Sequence, residues 1–245
     1  MYRIIVLFCL SSSLGFTQTA ESIRSGRPGN ASGAYSVGKN VFQLENGLLG
    51  YSDFSTWSFA NYSLYLRYGI SEKWEVNLTT DLSFASGDNQ LAYGGPNVGL
   101  KYNWLDNHAD RFSFGTVLSH NFGSFWNDNL NVTSINNIFM FSLTDKFGVN
   151  LNNQVEFLAE SKTFGSWVIL NFGYSLPKNN TIYIEGSHYF STSDITFLRL
   201  GWCKLLTNDF QIDATIRFDQ VNSIAPNRFD PGISLGFSKR FVPKK

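Results

Sequence analysis

Cysteine is nearly missing from this 245-residue chain, which has only Cys9 and Cys203. Cys9 falls in an apolar stretch close to the N-terminus, so the remainder keeps one thiol and builds no internal disulfide framework. Histidine is as scarce: His108, His120 and His188 share no ligand spacing, and no metal site is expected. Neither sign of charge predominates, with 19 Lys and Arg against 19 Asp and Glu. That balance argues against a nucleic-acid partner. Long apolar runs are lacking too, since no segment approaches the roughly twenty residues of a membrane helix. There is no Gly-Lys-Ser/Thr phosphate loop and no dinucleotide fingerprint after a strand, so no cofactor is expected.

What is present is aromatic. The chain holds 23 Phe, 11 Tyr and 6 Trp, residues suited to the boundary between lipid and water. Trp74-Glu75-Val76-Asn77-Leu78-Thr79-Thr80-Asp81-Leu82-Ser83-Phe84 sets an apolar or neutral side chain against a polar one at every second position. A period of two means a strand with one apolar face and one polar face. Similar patterns recur, and twelve strands are expected at 40–51, 57–69, 73–85, 97–105, 111–122, 131–143, 147–159, 166–176, 181–190, 195–205, 209–219 and 231–241.

Twelve is an even number, as an up-and-down barrel needs to bring both ends to one side. The connections alternate accordingly. Short polar turns such as Ser71-Glu72-Lys73, Thr144-Asp145-Lys146 and Thr207-Asn208-Asp209 separate longer loops at 86–96, 123–129 and 220–230. The fold class expected is therefore all-β, an antiparallel transmembrane barrel of about twelve strands.

The ends fit that class. Met1-Tyr2-Arg3, the apolar Ile4 to Leu10 and the small residues that follow read as an export signal over 1–17. Residues 18–39 form an irregular lead-in, compatible either with disorder or with entry into the barrel mouth. The barrel proper then covers 40–241 and a short extension 242–245. Gly232 to Phe241 alternates to a final aromatic residue and resembles the signal read by barrel-assembly machinery. The bacterial outer membrane is the expected location, with its lipid and that machinery as partners.

The phase of the alternation separates lipid from lumen. Tyr68, Trp74, Trp104, Phe112, Phe147, Trp202, Phe210 and Phe241 share the outward phase next to the short turns and are expected to form a periplasmic aromatic girdle. Phe59, Phe84, Phe122 and Phe190 supply a sparser ring at the other end. The charges fall inward. Glu45, Arg67, Glu75, Lys101 and Arg240 are expected to form a charge network low in the lumen, as either a constriction or a structural filling. Asp81, Glu156, Arg199 and Arg217 are placed higher. Tyr51, Tyr65, Tyr183 and Tyr189 also point inward. Ser119-His120 and Ser187-His188 are neighbours in sequence, so their side chains project from opposite faces and neither pair serves as nucleophile and base. No catalytic residue is expected.

Arg27-Pro28-Gly29, Phe42-Gln43-Leu44-Glu45-Asn46-Gly47, Leu66-Arg67-Tyr68-Gly69-Ile70 with Trp74-Glu75, and Pro96 with Gly99-Leu100-Lys101 together resemble the outer-membrane family named for the meta-pathway of phenol degradation. Gly26 stands where that family usually carries an acidic residue. The resemblance implies an outer-membrane barrel that passes small, aromatic or hydrophobic compounds. From the residues and the resemblance together, a passive channel for a small-molecule solute is expected rather than an enzyme. A structural or adhesive barrel with a closed lumen is the alternative, and an outer-membrane lipid hydrolase the third reading.

Overall fold

The computed structural model describes residues 22–52, 57–85, 90–93, 95–107, 111–124, 127–191, 195–221 and 230–243. The leader read at 1–17 and the side chains of Tyr51, Phe59 and Phe84 lie outside the described parts.

The strands, in chain order, are β1 (Phe42–Ser52), β2 (Trp57–Gly69), β3 (Trp74–Ala85), β4 (Gln90–Tyr93), β5 (Asn97–Asn107), β6 (Phe112–Ser124), β7 (Asn127–Ser142), β8 (Phe147–Leu158), β9 (Thr163–Leu176), β10 (Asn180–Phe190), β11 (Ile195–Thr207), β12 (Phe210–Val221) and β13 (Asp230–Phe241). Consecutive strands pair antiparallel except β4 and β5, which both pair with β3, and β1 pairs with both β2 and β13. Phe42 lies opposite Tyr68 on one side and Phe241 on the other. The sheet therefore closes on itself as a barrel.

Twelve staves make the wall, because β4 and β5 lie end to end on β3. Leu82 to Ala85 pair with β4 and Trp74 to Thr79 with β5. The loop expected at 86–96 thus contains a short strand that lengthens this stave. β7 likewise starts four residues before its expected boundary, within the loop expected at 123–129.

The short turns explain the register locally. Ser71 Oγ accepts the backbone N–H groups of Lys73 and Trp74, and Thr144 Oγ1 accepts those of Lys146 and Phe147. Thr207 Oγ1 accepts the N–H of Asp209 in the same manner. A hydroxyl that satisfies turn amides fixes a tight reversal, and Trp74, Phe147 and Phe210 stand just after these turns.

Polarity is inverted relative to a water-soluble protein. Glu75 and Glu185 are wholly buried and Arg67 is 4% exposed, whereas Leu118 is 51% and Leu235 60% exposed. Leu48, Ile135, Ile184, Leu200, Ile216 and Ile233 continue the apolar outer surface around the barrel. Such a surface is stable only against lipid, and the polar interior needs an occupant or water.

Part of that interior is filled by the lead-in. The Ile23 N–H donates to the Asn208 carbonyl in the β11–β12 turn, and the Asn40 N–H donates to the Gly69 carbonyl at the end of β2. Both anchor points lie at the short-turn end, so residues 23–40 form a strap looped into the lumen from the periplasmic side. Of the two readings open for this segment, entry into the barrel is the one found.

Candidate functional site

Three carboxylates on three strands hold the strap by its backbone. Glu45 on β1 accepts the N–H groups of Gly26 and Arg27 at 3.1 and 3.2 Å. Glu185 on β10 accepts those of Asn30 and Ala31 at 2.8 and 3.0 Å. Glu75 on β3 accepts that of Val37 at 3.0 Å. The strap has no ladder of its own, and its buried amides need acceptors from the wall. Asn152 adds another by receiving the N–H of Ser32 at 2.8 Å.

The strap's carbonyls meet donors in turn. Arg67 donates to the carbonyls of Arg24 and Tyr35, Lys101 to that of Gly33, and Asn103 to that of Ala34. Strap side chains also reach the wall: Ser25 Oγ donates to Glu45 at 2.7 Å, and Arg27 crosses to β12. Its Nη2 and Nε lie 3.0 and 3.3 Å from the two oxygens of Asp213 on β12, and Nη2 also donates to Ser234 at 3.0 Å. This fork-to-carboxylate contact is the geometry arginine provides and lysine does not.

Of the residues expected in the low network, the structure brings together Glu45, Arg67, Glu75 and Lys101. Arg67 sits 3.1 Å from Glu45 and 2.8 Å from Glu75, and the Lys101 ammonium is 3.6 Å from Glu75. Arg240 pairs with Asp209 in the β11–β12 turn at 2.7 Å. The register explains this: Arg240 lies opposite Gln43, and Gln43 itself turns to Glu45 at 2.8 Å. Among the higher charges, Arg199 pairs with Glu185 at 2.9 Å. Glu156 accepts a bond from Gln154 on its own strand, while Asp81 and Arg217 face a cavity described below.

The girdle residues lie on the outer surface at one level. Tyr68, Trp74, Trp104 and Phe241 are exposed, and Phe112, Phe147, Trp202 and Phe210 are partly so. Phe42 packs on Phe241, Tyr102 on both Trp74 and Trp104, and Phe141 on Phe112, so the ring is denser than the eight residues expected. The Trp202 indole donates to Asn180 and the Tyr68 hydroxyl to Asn40, polar contacts suited to an interface. At the opposite rim the rings of His120 and His188 each meet a cross-strand threonine and a nearby Phe. Ser119 instead faces Ser134 inside.

Sequence reasoning named Glu45, Arg67, Glu75 and Lys101 and placed Asp213 among the inward charges, but did not pick out the other residues that seat the strap. Arg27, Gln43, Asn103 and Asn152 carry no local signal beyond the inward phase of the three strand residues. Arg27 stood out only through the Arg-Pro-Gly element.

The strap divides the lumen into two chambers. The one on the outer side has a volume of about 390 Å³ and is lined by Tyr65, Asp81, Asn97, Asn136, Arg199 and Arg217 among others. The periplasmic one has about 440 Å³ and reaches Arg24, Tyr35, Met140 and Cys203. Among the described residues their shared walls are Gly26, Arg27, Pro28, Gly29 and Ala31. The strap tip is therefore the partition.

The family model described as "Putative MetA-pathway of phenol degradation" matches residues 25–230, a span that begins inside the strap and takes in nearly all of the barrel. The chain belongs to this family. A comparison with proteins of curated function finds no match. Among solved structures, the chain is similar to the COG4313 outer membrane channel from Pseudomonas putida F1, at 11% identity and a TM-score of 0.64, covering 89% of this chain and 100% of that one. It is also similar to the KdgM porin, at 14% identity and a TM-score of 0.63, with 82% and 99% covered. The NanC porin follows at 11% and 0.57, with 81% and 98% covered. These likenesses establish the fold. The protein is a twelve-stranded outer-membrane β-barrel of this family.

Proposed function

We propose that the protein is a passive outer-membrane channel for small solutes, with a path that runs through the two chambers and is narrowed by the strap tip. The observation that carries this reading is the pair of cavities, stacked along the barrel and divided by five residues of one irregular segment. A partition made of backbone and held by side-chain contacts is displaced at far smaller cost than a closed wall of strands. The channel and porin folds to which the chain is similar support the same reading. A closed structural barrel is the second reading, favoured by the number of wall groups that bind the strap.

Planar-bilayer recording separates the two. The full chain is expected to give small conductance steps, and Arg27→Ala and a variant lacking residues 22–39 are expected to give larger ones. No conductance from any of the three, in samples whose heat-shifted gel mobility shows a folded barrel, overturns the channel reading and leaves the closed lumen.

A further inference from the structure

On β6, β7 and β8 a polar stripe crosses the lipid face at mid-depth. Thr116 lies opposite Asn137, and Asn137 opposite Asn153, all three in the outward phase and half-exposed. Thr116 stands between Phe112 of the girdle and Phe122 near the far rim, and Asn153 between Phe147 and Phe157. The chain satisfies only part of this stripe. The Trp104 indole donates to Thr116 Oγ1 and the Thr116 hydroxyl to Asn137 Oδ1, each at 3.0 Å. The Asn137 Nδ2 and the whole Asn153 amide have no hydrogen-bond partner among the described residues. Other outward asparagines are tied within the chain: Asn46 donates to the Ser63 carbonyl, Asn131 to Glu160, and Asn180 to the carbonyls of Pro177 and Lys178. An amide facing hydrocarbon has no water to turn to, so leaving it unpaired is costly.

Beside the stripe, toward the periplasm, lies a row of rings. Phe114 stacks on Trp104 at 6.5 Å between centroids and on Phe139 at 4.9 Å, so one aromatic surface spans β5, β6 and β7. Rings already held by one another lose little freedom when a partner covers them, and aromatic patches of this kind are enriched in the cores of protein interfaces.

We propose that this sector is the contact surface for a second copy of the chain, in a two-fold dimer within the membrane that sets Asn137 of each copy against Asn153 of the other. Two copies inserted in the same direction share a two-fold axis only along the membrane normal, so each residue meets the partner at its own depth. Asn137 and Asn153 are neighbours on adjacent strands, and an axis between β7 and β8 brings each to the other's counterpart. Their partial charges are complementary. Asn137 Nδ2 donates to the Oδ1 of Asn153 of the partner subunit, and the Asn153 amide donates in return to the second lone pair of Oδ1 on Asn137 of the partner subunit. A lipid acyl chain offers neither donor nor acceptor. The dimer is independent of the channel reading, since each barrel keeps its own lumen.

The test is sedimentation equilibrium of the full chain in density-matched polyoxyethylene detergent, whose alkyl tails carry no hydrogen-bonding group. The unsubstituted chain is expected to show a monomer–dimer equilibrium. Replacing both amides, Asn137→Leu with Asn153→Leu, is expected to weaken the dimer about tenfold or more, the weight of hydrogen bonds made inside a membrane. Asn46→Leu, which removes an amide already satisfied within its own chain, is expected to leave the dimer unchanged. Monomers at every concentration overturn the proposal, as does an undiminished dimer in the double variant when heat-shifted mobility shows a folded barrel. Crosslinking in phosphatidylcholine vesicles gives a second measurement that keeps the lipid face filled. In chains whose Cys9 and Cys203 are replaced by serine, a mixture of Asn137→Cys and Asn153→Cys proteins is expected to form a disulfide-linked dimer on oxidation by copper–phenanthroline. Asn137→Cys mixed with Leu235→Cys, on the far side of the barrel, is expected to form none. Equal crosslinking in the two mixtures, or none in the first, also overturns the proposal.

Discussion

Arg67 concentrates the residue-scale physics. Its guanidinium holds two buried carboxylates, Glu45 and Glu75, and two strap carbonyls. Burying these ions costs several kcal/mol each, offset by their mutual attraction and by strap amides that fill the remaining lone pairs. Arg67→Ala leaves two carboxylates facing each other with Lys101 as the remaining cation. It is expected to lower stability by about 3–5 kcal/mol, measured by urea unfolding in lipid vesicles. Arg67→Lys restores the charge without the fork and is expected to recover only part of the loss. At this scale the sequence was readable for charge and opaque for partner. The inward phase placed Glu45, Arg67, Glu75 and Lys101 in the lumen, but which of them would meet, and that Arg240 would pair with Asp209, followed from side-chain reach.

At the scale of elements, alternation identified the strands because lipid on one face and polar lumen on the other impose opposite demands on successive residues. Where that contrast ends, the signal ends. Gln90–Tyr93 and the first residues of β7 continue ladders made by the backbone, and a ladder needs no particular side chain. The strap is the harder case. Its Ser, Gly and Asn have no period, and its course is fixed by groups on many strands.

One glycine shows how close that fit is. Gly38 has a φ of 97°, and its carbonyl lies against Gly69, where a Cβ would overlap the backbone itself. No rotamer relieves a clash with backbone. Gly69→Ala is therefore expected to cost about 1–3 kcal/mol and to loosen the strap's exit, seen as faster tryptic cleavage at Lys39 in the folded protein.

For the whole molecule the solvent outside is lipid, and substitution cost should follow that geometry. Ile184, in the middle of β10, is 44% exposed on the outer face, while its neighbour Glu185 is wholly buried in the lumen. Ile184→Arg is expected to destabilise the barrel by about 2–4 kcal/mol in vesicles, because a charge there meets hydrocarbon. The same substitution at Phe241, in the girdle near the periplasmic surface, is expected to cost about 1 kcal/mol or less. Equal costs at the two positions would contradict the membrane placement.

The sequence by itself determined the strands, their number around the wall, the lipid face and the aromatic girdle. All of these follow from an alternation with period two, which each residue shares with neighbours a few positions away. Tertiary structure decided what the lumen contains. That Glu185 would cap Asn30 and Ala31, that Arg27 would cross to Asp213, and that Arg67 would join Glu45 to Glu75 depends on closure. Closure brings side chains from distant strands within hydrogen-bond reach, and no local pattern encodes a distance across the barrel.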